Sequence, residues 1–186
     1  MNRMLSLCFL LFSLSAMAQE DSLSYSIMIS RAEEVQLTDS VEINAIEWKL
    51  RRLDSVDVKK WFSAILGTTN NNRLKNRGYY LGGKITTHQN FDLLVLLEEK
   101  KRKDTSNAAA QVIYLISMRK YGRYISSLEV AITGLKKRSV YNTTSWLYKD
   151  LKVIKDSKFT VSDKPFYDLA TYKINGGGRF ILYPND

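Results

Sequence analysis

From residue 79 onward the apolar and polar positions alternate with a period of two. Nine stretches carry the pattern: 79–88, 91–98, 111–118, 123–132, 140–148, 151–155, 158–162, 166–174 and 179–183. They are rich in β-branched and aromatic residues and bounded by turn formers, which predicts strands. Phe91–Leu97 is apolar at nearly every position, so it predicts a central strand covered on both faces. Lys120-Tyr121-Gly122, Asp156-Ser157 and Asn175-Gly176-Gly177-Gly178 have the composition of hairpin turns. The glycine run is read as a turn and not a phosphate cradle, because no helix follows to present amide groups.

Upstream of residue 79 the period is different. Val58, Trp61, Phe62, Ile65 and Leu66 form a helical stripe that ends at Gly67, with Ser55 as the expected N-cap. Residues 41–53 fit either period, and 45–51 is read as a strand. Residues 19–40 are polar and acidic around a small apolar island of Tyr25, Ile27 and Ile29, and read as an exposed lead-in that docks only in part. Residues 41–186 form one domain. The expected fold is mainly β, an antiparallel meander of eight or nine strands, as a sandwich or half-barrel, with one short amphipathic helix before it.

The first eighteen residues have the form of a signal peptide. Arg3 supplies a charge, Leu5–Leu14 an apolar run too short to span a membrane, and Ala16-Met17-Ala18 a small-x-small cleavage site. Export to the periplasm or the cell surface is expected, with no transmembrane helix left after cleavage. The single cysteine, Cys8, leaves with the leader. That excludes disulfides, thiol nucleophiles and thiolate metal sites from the mature chain.

Catalytic chemistry is sparse. His88 is the one histidine, which rules out multi-histidine metal sites, and no nucleophile elbow is present. Glu98 and Glu99 are adjacent on a strand and point to opposite faces, so they cannot flank one glycosidic bond. No catalytic residue, metal site or cofactor is assigned.

Charge is the stronger feature: 28 Lys and Arg stand against 19 Asp and Glu, a net +9. Lys100, Lys101, Arg102 and Lys103 form one cluster, and Arg119, Lys120 and Arg123 another, both at strand ends. Such clusters draw anions by their long-range field, although loop cations also serve solubility and blunt sheet edges. If 91–98 and 111–118 are antiparallel neighbours, the two clusters lie at opposite ends of the sheet. Among 11 Tyr, 7 Phe and 3 Trp, the pair Trp146 and Tyr148 is the best candidate for a sugar-stacking platform. No specific nucleic-acid motif is present.

The leader ending Ala16-Met17-Ala18-Gln19 resembles those of exported Bacteroidetes proteins. Gly83-Lys84-Ile85, Phe91–Leu97, Val112–Leu115, Gly122–Glu129 and Tyr172–Phe180 resemble uncharacterised secreted β-rich proteins of those bacteria. The resemblance covers roughly residues 79–183 and transfers no catalytic residue. It implies one modification: periplasmic O-glycosylation in that lineage takes Asp-Ser before a small aliphatic residue. Ser22, Ser40 and Ser55 stand in such a context, and Ser40 and Ser55 serve equally well as helix caps.

These features point to an exported, non-catalytic binding module whose partner is a polyanionic glycan or an envelope protein. An inhibitor or immunity-type partner of an exported enzyme is the second reading, and a two-carboxylate glycan hydrolase the third.

Overall fold

The computed structural model describes residues 23–44, 51–66, 74, 76–87, 89–100, 110–136, 139–161 and 163–184. The expected signal peptide at 1–18, Ser22, His88 and Lys101, Arg102 and Lys103 lie outside them, as does most of the strand expected over 45–51.

The chain runs α1 (23–29), β1 (Glu33–Gln36), β2 (Ser40–Ile43), β3 (Arg51–Arg52), α2 (Ser55–Leu66), β4 (Arg77–Thr86), β5 (Phe91–Lys100), β6 (Gln111–Arg119), β7 (Tyr124–Lys136), β8 (Ser139–Tyr148), β9 (Lys152–Val161), β10 (Lys164–Ile174) and β11 (Phe180–Tyr183). The fold is mainly β, a single open sheet in which β4 to β11 pair antiparallel in chain order. This is the meander that the two-residue period predicts.

β5 is the axis of the packing. Phe91 to Glu98 are all buried, and the strand divides two apolar clusters. Leu93, Val95 and Leu97 face inward to Ile113 and Leu115 of β6, Leu147 of β8, Val153 of β9 and Ile174 of β10. Strands so distant in the sheet meet because the sheet coils, as right-handed strand twist dictates. Leu94 and Leu96 face the other way, onto Tyr25 and Met28 of α1 and Val58, Trp61 and Phe62 of α2. Each such side chain contributes about 1.5–3 kcal/mol on burial. Two carboxylates share this helix-side face. Glu98 pairs with Arg77 and accepts from the Tyr114 hydroxyl at 3.3 Å. Asp92 accepts from the Tyr25 hydroxyl at 3.2 Å and lies 3.9 Å from Lys84 Nζ. Burial, reinforced by Asp92, pushes the Tyr25 phenol well above its usual range.

Three sequence expectations change in detail. The described part of 19–40 leaves most of its residues exposed and docks through two core side chains and two strand pairings. Tyr25 and Met28 are core residues, β1 pairs parallel with β4, and β2 pairs antiparallel with the C-terminal half of β8. Tyr25 and Met28 stand three apart and share one helix face, while Val35, Leu37 and Val41 pack on the inner cluster. A short polar stretch hid both patterns. The second correction is the N-cap of α2, which is Asp54 and not Ser55. Its Oδ1 accepts from the backbone N–H groups of Val56 and Asp57, each at 2.8 Å, and a carboxylate there also meets the positive end of the helix dipole. The third is Asp156-Ser157, which is not a turn. Both residues lie inside β9, opposite Thr144 and Thr143 on one side and Leu169 and Asp168 on the other. The chain reverses instead beside Asp163, which takes a positive φ of 64°.

Candidate functional site

Two hairpin turns at one end of the sheet are built on the same plan. In Arg119–Arg123 the N–H of Arg119 donates to the carbonyl of Arg123 at 2.7 Å, and the N–H of Gly122 donates to the carbonyl of Arg119 at 2.8 Å. In Asn175–Arg179 the same positions make the same bonds, at 3.0 and 2.8 Å. The fourth residue is in each case a glycine with positive φ, 92° at Gly122 and 83° at Gly178. This is the three-residue hairpin loop that ends in a left-handed glycine. An arginine follows the glycine in both turns. Asn175 Oδ1 further fixes the second turn, accepting from the N–H groups of Gly177 at 3.0 Å and Arg179 at 2.9 Å.

Both turns are seated on the core. A Cβ on Gly122 would stand 2.5 Å from Trp61 and 2.9 Å from Tyr25. A Cβ on Gly178 would meet Ser117 Oγ at 2.4 Å and Ile125 at 3.0 Å. Coiling of the sheet brings the turns side by side, and they line a shared cleft of about 490 Å³. Arg119, Arg123, Arg179, Tyr121, Tyr124, Ile125, Asn175 and Gly177 form its walls. Three arginines thus line one cleft, and among the described residues no carboxylate lines it. Each carries a planar fork of donors suited to carboxylate, sulfate or phosphate oxygens. Tyr121 is 55% exposed and offers a ring face beside them.

Arg119 and Arg123 are therefore brought together as the sequence placed them, while Lys120 is an exposed turn residue outside the lining. Arg179 was missed. Its signal is the repeated glycine-arginine step, Gly122-Arg123 and Gly178-Arg179, at the end of two turns of equal length.

Lys100 belongs elsewhere. Phe91 pairs with Arg119 at one end of β5, and Lys100 pairs with Arg77 at the other, roughly 30 Å away at strand rise. Trp146 and Tyr148 do not form an open platform: both are half-buried on β8, opposite Glu42 and Ser40 of β2. A different aromatic set, Tyr141, Phe159 and Phe166, stacks across β8, β9 and β10 with ring centroids 5.4 Å apart at each step. Ser40 and Ser55 are exposed.

The carboxylates do not assemble a hydrolytic pair on β5. Asp92 and Glu98 share a face but stand about 20 Å apart at strand rise, well beyond the roughly 5–10 Å such pairs require. Glu99 lies on the opposite face, where it accepts from the Tyr80 hydroxyl and Gln111 Nε2, each at 3.3 Å. A second cleft, of about 410 Å³ beside the start of α2, contains Arg52, Asp54 and Arg77. Two of its three charged residues are committed, Asp54 to the helix cap and Arg77 to Glu98. Among the described residues no three His, Cys, Asp or Glu side chains cluster as a metal site, and no helix is long and apolar enough to cross a membrane.

Comparison with known protein families, with characterised proteins and with solved structures returns no match. The class these features define is a basic, β-rich module with an arginine-lined cleft at one end of its sheet.

Proposed function

We propose that the protein is an exported, non-catalytic module that binds an anionic glycan or envelope component through the Arg119–Arg123–Arg179 cleft. The supporting observation is the convergence of two turns with the same backbone bonds, which places three arginines on one cleft with no carboxylate among the described lining residues. The forks bind acidic groups along the ligand, and Tyr121 stacks on a neighbouring sugar ring. The net +9 of the whole sequence, +8 once Arg3 leaves with the leader, accelerates encounter over long range. Export through the leader at residues 1–18 belongs to the same proposal, and brings the cleft to the compartment where acidic polysaccharides and lipopolysaccharide are found.

The test is elution from immobilised heparin along a salt gradient. A variant with Arg119, Arg123 and Arg179 changed to Gln elutes at clearly lower salt than wild type, its log–log salt slope reduced by roughly 2–3 for three lost ionic contacts. Changing the same arginines to Lys keeps the charge and removes the forks. It loses affinity if the cleft is a built site and keeps it if only net charge matters. Co-elution of the Gln variant with wild type, at unchanged melting temperature, refutes the proposal.

A further inference from the structure

β10 is longer than the strand that covers it. β11 pairs with β10 only along Thr171–Ile174, and among the described residues no strand lies against Lys164–Asp168 on the side away from β9. All five residues are exposed, with Phe166 at 44% and Tyr167 at 74%. The aromatic ladder Tyr141–Phe159–Phe166, near parallel at 20° and 10°, ends at this edge, with no further ring stacked on Phe166 among the described residues.

We propose that a second copy of this chain docks on this edge, antiparallel, with the two-fold axis at Phe166. A two-fold perpendicular to a sheet keeps the faces aligned, so paired residues must share a face and the axis must fall on a residue. Centring on Lys164 or Pro165 pairs at most three residues of β10 before the second strand runs past its start, which leaves three centres in the exposed stretch. Centring on Asp168 opposes two carboxylates, and centring on Tyr167 sets Phe166 against Asp168. Centring on Phe166 sets Lys164 opposite Asp168 of the second copy, twice by symmetry, and places Phe166 against its own counterpart. The two three-ring ladders then become one of six. Opposite charges and aromatic pairs across strands are the contacts that stabilise such an edge. The same stretch thus carries both halves of the charge pairing, which favours a second copy over an unrelated strand. Pro165 has no N–H to add to the ladder, so side chains carry the contact. The interface is small, and the dimer belongs to the weak, concentration-dependent class.

Sedimentation equilibrium of the full chain, from low micromolar to several hundred micromolar, reads the mass directly. The wild type moves from one chain towards two. Lys164→Asp and Asp168→Lys each place like charges opposite one another and weaken the dimer by roughly tenfold or more. The double variant, Lys164→Asp with Asp168→Lys, restores it to near wild type. Phe166→Ala also shifts the equilibrium to monomer. All these positions are exposed, so an unchanged melting temperature shows that the variants fold. A wild type that stays monomeric throughout overturns the proposal, with Lys164 and Pro165 then acting as edge blockers. So does a dimer indifferent to the single charge reversals, or one the double variant fails to restore.

Discussion

Replacing Gly122 with alanine adds one methyl group at a point where the backbone and the core both resist it. The residue has φ 92°, in the left-handed region where a Cβ costs roughly 1–2 kcal/mol. The new carbon would stand 2.5 Å from Trp61 Cζ3 and 2.9 Å from the ring of Tyr25. Neither ring can yield easily, because both are buried and pack against each other, tilted at 58° with centroids 5.4 Å apart. Overpacking of this kind costs about 1–3 kcal/mol. The sum, about 2–5 kcal/mol, is a large share of the 5–15 kcal/mol typical of a whole domain. Gly176 is the internal control: it sits in the matching turn, has nothing within 4 Å of its Cβ position, and lacks a positive φ. Urea unfolding followed by circular dichroism should show Gly122→Ala strongly destabilised and Gly176→Ala within about 0.5 kcal/mol of wild type. Because Arg123 follows Gly122, the surviving folded fraction should also elute earlier from heparin. A Gly122→Ala midpoint equal to wild type would refute the reasoning about how this turn is seated.

The cap on α2 is tested by Asp54→Ala, expected to cost about 1 kcal/mol in urea unfolding, whereas Ser55→Ala should cost less than about 0.5; the reverse order would restore Ser55 as the cap. Tyr25 supplies a pH dependence. Its phenol is raised above the usual 10.0 by burial and by Asp92, so it stays neutral when folded while the unfolded chain ionises. Its contribution is therefore intact below about pH 10 and lost as pH climbs beyond that value. Unfolding midpoints from about pH 8 to 11 should fall less steeply for Tyr25→Phe than for wild type, and parallel curves would contradict this.

The strands from β4 onward were legible because burial on one face of a sheet imposes a period of two, and β5 stood out because burial on both faces removes it. The Asp156-Ser157 reading failed because turn-forming residues were judged without their partners. Within β9 these adjacent side chains point to opposite faces of the sheet, Ser157 between Thr143 and Asp168 and Asp156 between Thr144 and Leu169, and strand pairing on both sides overrides their local preference. The site was legible by halves. Arg119 and Arg123 are local in sequence, but Arg179 joins them only because the sheet coils until the β10–β11 turn lies over Ser117 and Ile125. No periodicity encodes that proximity.

The N-terminal strands also have a consequence for the order of assembly. β1 is bonded to β4 and β2 to β8, with residues 37–39 between them and the Asp39 carbonyl accepting from the N–H of Lys149 at 2.8 Å. Val41 and its partner Leu147 are over a hundred residues apart along the chain. Closing so long a loop is entropically costly and is repaid only when both partners are in place. The meander can propagate strand by strand from β4, whereas the clasp across it must wait until β8 has formed. Synthesis makes β1 and β2 early; folding seats them late. During that interval the inner faces of β5 and β8 are uncovered where Ile43 and Val41 will lie, and the interval is when the chain is most exposed to aggregation.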